Sequence, residues 1–159
     1  MINIFGEDEF RTIKRFGNLI ENYCVSKSGD VYSEKTKKIL KQYNRGNSNN
    51  YDNVYKQIAI KTSNGYVINL PIHRIVIETW SPIDNNPPDS LKDEWDNAPE
   101  CFKQWVRNTA WVDHIDGDKQ NNHINNLRWV TPRQNNFYVK LNGTEGLAQF
   151  YQSDKEASN

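Results

Sequence analysis

The segment from Trp111 to Gln134 restricts the fold more than any other part of the chain. Trp111-Val112-Asp113-His114-Ile115 has strand character, and Asp116-Gly117 directly after it is a strong turn signal. A polar loop over residues 118–126 follows, and Leu127-Arg128-Trp129-Val130 resumes the strand pattern. Thr131-Pro132-Arg133-Gln134 then has the form of a capping box. The threonine hydroxyl can accept from a free N–H of the first turn, and the glutamine can reach back to the cap. The proline sits where its missing N–H costs nothing. A helix is expected from Pro132 to about Leu141, with Asn142-Gly143 as its stop.

Upstream, turn residues cut the chain into short pieces. Tyr23-Cys24-Val25 and Val31-Tyr32 flank the turn Ser26-Lys27-Ser28-Gly29-Asp30, and residues 44–53 read as a loop. Residues 54–60 and 66–70 read as two strands joined at Ser63-Asn64-Gly65, so a small antiparallel sheet is expected. Pro71 opens a helix with Ile72, Ile75, Val76 and Trp80 on one face, ended by Ser81-Pro82. Residues 82–98 are rich in Pro, Asn and Asp, with a short helix expected around Leu91–Trp95. A further helix from Pro99 carries Phe102, Trp105 and Val106 as its apolar face, and Trp111 and Trp129 are expected in the core. The reading is an α+β chain in four parts. Residues 1–80 form a sheet-and-helix module, 81–110 an acidic helical connector, 111–142 a strand-strand-helix unit and 143–159 a tail.

With 159 residues, one compact core is expected. Twenty Lys and Arg balance twenty Asp and Glu, which at first argues against a nucleic-acid partner. The average hides a segregation. Residues 10–75 hold twelve Lys or Arg against four acids, whereas residues 81–110 hold six acids against three bases. The basic part is interleaved with tyrosines, which suits a phosphate backbone. Lys27, Lys37, Lys38, Arg45 and Lys56 are its candidate DNA contacts. No apolar run approaches the roughly 20 residues of a membrane span, and the first residues lack a secretory pattern. Cys24 and Cys101 form no paired motif, so a reduced, cytoplasmic setting is expected.

The polar residues of 111–135 define the expected site. If the two strands pair and the helix packs across them, Asp113, His114 and Asn135 can converge. A carboxylate and an amide oxygen suit a hard cation such as Mg²⁺ or Mn²⁺. An imidazole can deprotonate water near neutral pH. Together these are parts for metal-assisted phosphodiester hydrolysis. His123 in the loop, and Arg128 and Arg133 beside the site, are candidates to touch phosphates.

Asp113-His114-Ile115-Asp116-Gly117, Asn121-Asn122-His123, Asn126-Leu127-Arg128-Trp129-Val130-Thr131-Pro132 and Gln134-Asn135 resemble the HNH endonuclease motif. The likeness is to the branch found in phage homing endonucleases, with asparagine at the third motif position. Tyr23-Cys24-Val25-Ser26-Lys27-Ser28-Gly29-Asp30-Val31-Tyr32-Ser33 and Pro71-Ile72-His73-Arg74-Ile75-Val76 are similar to the NUMOD4 module that commonly precedes this nuclease. The resemblance implies a ββα-metal unit that cuts or nicks double-stranded DNA. It implies His114 as general base and Asp113 with Asn135 as ligands of one divalent ion. Asn126 would brace the loop and orient His114. Many relatives add a C-terminal helix-turn-helix, for which the 17 residues after Asn142 are too few. No obligate protein partner is expected, and the chain would act as a monomer or weak dimer. The alternative is a non-catalytic DNA-binding protein derived from such a nuclease.

Overall fold

The computed structural model describes residues 9–45 and 54–136. Strands β1 (Phe10–Arg15), β2 (Asn18–Ser26), β3 (Val31–Ser33) and β4 (Lys38–Ile39) form an antiparallel sheet in that order. A second sheet joins β5 (Tyr43–Arg45), β6 (Tyr55–Lys61) and β7 (Val67–Pro71). Helix α1 (Ile72–Trp80) follows β7 directly. A short 3-10 turn, α2 (Lys92–Trp95) and α3 (Glu100–Thr109) lead to the hairpin of β8 (Trp111–His114) and β9 (Leu127–Val130). The chain is helical again over 132–136. The mixed α+β class read from the sequence is the observed one.

Strand β1 escapes sequence reading. Its inward residues, Phe10 and Ile13, are three apart, because a bulge between Thr12 and Ile13 breaks the two-residue period. Asn22 absorbs the matching irregularity in β2 at φ 68°, a conformation its short polar side chain tolerates. Tyr23 links the two sheets: its hydroxyl donates to Lys61 O and accepts from Lys61 N–H, both at 3.1 Å.

Helix α1 organises the interior. Pro71 closes β7 and serves as the helix N-cap, one position before the place the sequence suggested. Ile72, Ile75, Val76 and Ile77 are fully buried against both sheets. Removing each such side chain from water stabilises the fold by roughly 1.5–3 kcal/mol. The same buried cluster includes Val25 and Val31 from the first sheet and Ile58 and Leu70 from the second. It continues into Trp95, Val106, Leu127 and Trp129. One core therefore runs from the N-terminal sheets into the β8–β9 hairpin.

Two packing expectations fail. On α3 only Val106 is buried. Phe102 is 37% exposed and Trp105 56% exposed, their rings stacked with centroids 6.1 Å apart. Trp111 is also 46% exposed, whereas its hairpin neighbour Trp129 is buried as expected. Only the Val106 side of α3 meets the core, so the other apolar side chains of that face stay at the surface. The loop read over 44–53 is also shorter within the described residues, since Asn44 and Arg45 belong to β5. Residues 46–53 and the expected helix beyond 136 lie outside them.

Candidate active site

The hairpin sets the site by register. Asp113 faces Arg128 across the ladder and His114 faces Leu127. Asp113 Oδ2 accepts from Arg128 Nε at 2.8 Å and lies 2.7 Å from Arg128 Nη2, a forked ion pair on one carboxylate oxygen. Beyond β8 the chain turns at Gly117, at φ 78°, whose N–H donates to His114 O at 2.9 Å.

Asn126 closes the loop from its far end. Its Oδ1 accepts from Asp116 N–H at 3.0 Å. Its Nδ2 donates to Asp116 Oδ1 and to Asn121 O, both at 2.8 Å. Its backbone oxygen accepts from Ile115 N–H at 2.9 Å. Burial opposes ionisation of Asp116. The hydrogen bonds from Asn121, Asn126 and the Asp118 N–H outweigh it together and hold the carboxyl below its usual range.

His114 is 5% exposed, and its Nε2 lies 3.0 Å from Asn122 Oδ1. Its ring stands edge-on to His73 of α1, with centroids 5.4 Å apart, and near Tyr55 of β6 at 6.1 Å. The second sheet and α1 thus wall the histidine in. The loop is tied to the N-terminal module as well: Ile124 N–H donates to Lys27 O at 2.8 Å, Gln120 Nε2 donates to Val54 O, and Lys119 lies over the Tyr55 ring. His73 is pushed down to about 3 by burial first, then by His114 and two arginines, and its Nδ1 is buried with no partner among the described residues.

The remaining candidates divide by environment. Thr131 and Gln134 make the reciprocal capping box, with Gln134 N–H on Thr131 Oγ1 at 3.2 Å and Thr131 N–H on Gln134 Oε1 at 2.9 Å. Asn135 follows in that first turn, half-buried, its N–H on Thr131 O at 3.0 Å. His123 Nδ1 accepts from Asn125 N–H at 3.2 Å and caps the 3-10 turn at Ile124–Asn126. Arg133 is exposed. Lys27 lies 3.9 Å from Glu9 and 5.1 Å from the Trp80 ring centroid, so a neighbouring acid offsets its charge. Lys37, Lys38 and Arg45 are exposed and Lys56 half-buried, with no ion pair among the described residues.

Asn122, His73 and Tyr55 were not singled out as site residues from the sequence. An asparagine in an asparagine-rich loop reads as a turn residue, and nothing local announces that Asn122 is 3% exposed. Among the described residues, no three His, Cys, Asp or Glu side chains form a metal-binding group. A cleft of about 910 Å³ lies beside the hairpin, lined in part by Lys14, Arg74, Arg107, Trp111, Trp129 and Pro132. Neither Asp113 nor His114 lines it.

Residues 108–137, which hold this hairpin, loop and helix start, match the HNH endonuclease family. In this unit, the chain is similar to the HNH endonucleases. Two relatives from Acanthamoeba polyphaga mimivirus are uncharacterised HNH endonucleases, designated L245 and L247. The first is 31% identical over 134 residues, spanning 81% of this chain and 31% of the relative. The second is 34% identical over 115 residues, spanning 72% of this chain and 22% of the relative. Among solved structures, the HNH homing endonuclease I-HmuI, described for DNA binding and cleavage, matches with a TM-score of 0.57 and 28% identity. That match covers 92% of this chain and 66% of the other. The chain thus spans about a third or less of the mimivirus relatives. The likeness to I-HmuI extends well beyond the HNH unit into the sheets and α1.

Proposed function

We propose that this chain is a metal-dependent DNA endonuclease of the homing type, which nicks or cleaves duplex DNA. The observation that carries the reading is the His114 ring, fixed by Asn122 at the end of β8 inside an HNH-matching hairpin. The likeness to I-HmuI across both sheets supports DNA as the substrate. The N-terminal resemblance to the NUMOD4 module supports the same choice.

HNH nucleases generally use a divalent metal ion. The donor set here fits a hard one: Asp113 offers a carboxylate from β8, and Asn135 offers an amide oxygen from the first turn of the helix. With only two such donors, water and phosphate would fill the remaining positions, as Mg²⁺ or Mn²⁺ permits. Bound there, the ion would stabilise the charge on the phosphate and the departing oxygen. His114 takes a proton from water, and the resulting hydroxide attacks phosphorus. The phosphorus–O3′ bond breaks and the 3′ oxygen acquires a proton from solvent, giving a 5′-phosphate and a 3′-hydroxyl. Asn126 holds the loop so that His114 and Asp113 keep their places. Lys37, Lys38, Arg45 and Lys56 offer cations to the phosphate backbone, and the ββα unit approaches the minor groove.

A second reading, a DNA-binding protein without catalysis, is favoured by one observation: the forked Arg128 pair already engages Asp113 Oδ2. Supercoiled plasmid with Mg²⁺ against EDTA separates the two. The nuclease reading expects relaxed or linear product with Mg²⁺ only. His114→Ala should lower the cleavage rate at least about 100-fold with DNA affinity retained. Cleavage at the original rate by His114→Ala would sink the assignment.

A further inference from the structure

Asn122 sits where it can decide which nitrogen of His114 carries the proton. Its Nδ2 lies 3.3 Å from Gln120 O, and a backbone carbonyl only accepts, so the NH₂ end of the amide faces Gln120. The Oδ1 end therefore faces His114 Nε2 at 3.0 Å. An amide oxygen also only accepts, so Nε2 must donate. In a neutral imidazole that leaves the lone pair on Nδ1, which makes no hydrogen bond among the described residues.

The N-terminal module holds the asparagine in place. Gly29, in the β2–β3 turn at φ 96°, has the position of a would-be Cβ only 3.5 Å from Asn122 Cβ and 2.9 Å from Ile72 Cγ2. A side chain there would have to displace Ile72, and the bare glycine lets the turn lie alongside Asn122. The Ile124 N–H to Lys27 O bond fastens the next residues to the same turn. On its other sides the His114 ring meets His73 and Tyr55, which offer ring faces and edges in place of a second hydrogen bond.

We propose that Asn122 is a positioning residue: seated on the Gly29 turn, it holds His114 with its proton on Nε2 and leaves Nδ1 to accept the proton of the attacking water. The catalytic half rests on the reading of His114 as general base, and the structural half does not. No proton is lost or gained in setting the tautomer.

Heteronuclear spectra of the full chain with ¹⁵N-labelled histidine test the structural half without metal or DNA. Only three histidines need assignment, and His114→Ala identifies one of them. The expected result is a His114 ring protonated on Nε2, with a slowly exchanging Nε2–H that disappears in Asn122→Ala. A His114 ring protonated on Nδ1 in the unsubstituted chain would overturn the proposal and needs no variant to be seen. Single-turnover nicking of supercoiled plasmid in Mg²⁺ tests the other half. Asn122→Ala should be about 10- to 100-fold slower, with plasmid affinity within about twofold, as when a residue that orients an active group is removed. Asn122→Asp keeps the acceptor and should recover most of the rate. An undiminished rate in Asn122→Ala, or no recovery in a folded Asn122→Asp, would also overturn it. Full cleavage by His114→Ala would remove the base reading, and the Nε2–H signature would still report the Asn122 bond by itself.

Discussion

The His73 side chain is held far from the chemistry of its free form. Burial, His114 and two arginines lower it from 6.5 to about 3, so it is neutral in the folded chain at ordinary pH. Between those values the unfolded chain binds a proton that the folded chain does not. Stability from this residue is therefore fully present above pH 6.5, falls as pH drops, and levels off near pH 3. Urea unfolding at pH 7 and pH 4.5 should differ by about 2–3 kcal/mol on this account, and His73→Phe should remove that part of the difference. An unchanged difference in His73→Phe would show that other groups carry it. Asn126 makes a second prediction at this scale. Its side chain serves Asp116 N–H, Asp116 Oδ1 and Asn121 O, so Asn126→Ala should cost about 1–3 kcal/mol. Faster amide exchange over 115–126 is the accompanying signature, and unaltered exchange there would deny Asn126 the bracing role.

Among the elements, the β2–β3 turn and the capping box at Thr131 do the most with the fewest residues. Gly29→Ala meets both a positive φ and Ile72 Cγ2 at 2.9 Å, so a loss of about 1–3 kcal/mol is expected. Chemical denaturation would measure it, and a stability within about 0.5 kcal/mol of the original would mean that the turn can move away from α1. Strand β1 shows why some elements could not be read. Phe10 and Ile13 point inward, but Arg11, Lys14 and Arg15 lie among them and the bulge breaks the alternation. Thr131 and Gln134 show the opposite case. The capping box was legible because all of its partners lie within four residues. On α3 the periodicity of Phe102, Trp105 and Val106 was correct as periodicity. It did not say how much of the face the core would cover, since that depends on what lies opposite.

For the whole molecule, zero net charge conceals an asymmetric surface. Arg11, Arg15, Lys27 and Arg107 lie within ion-pair distance of acids, while Lys37 in the β3–β4 turn and Lys38, Arg45 and Lys56 on the strands have none among the described residues. Neutralising those four together should reduce the steepness with which DNA affinity falls with salt. The slope of log affinity against log salt should drop by up to about 3.6 if each touches a phosphate. Fluorescence anisotropy on a duplex across a salt series would measure this, and an unaltered slope would place the DNA elsewhere. No helix among the described residues is long and apolar enough to cross a membrane.

Legible in the sequence were the local units: the β8–β9 hairpin with its Asp116-Gly117 turn, the capping box, the end of α1 and its start to within one residue, and the residue types suited to hydrolysis. Each depends on partners a few residues apart. Tertiary structure decided what no short window contains. It packed one core through the sheets and the hairpin, paired Asp113 with Arg128 across the ladder, left Trp105 and Trp111 exposed, and enclosed His114 between Asn122, His73 and Tyr55. The reason is distance along the chain. Tyr55 and His73 stand 59 and 41 residues before His114, and only folding brings their rings together.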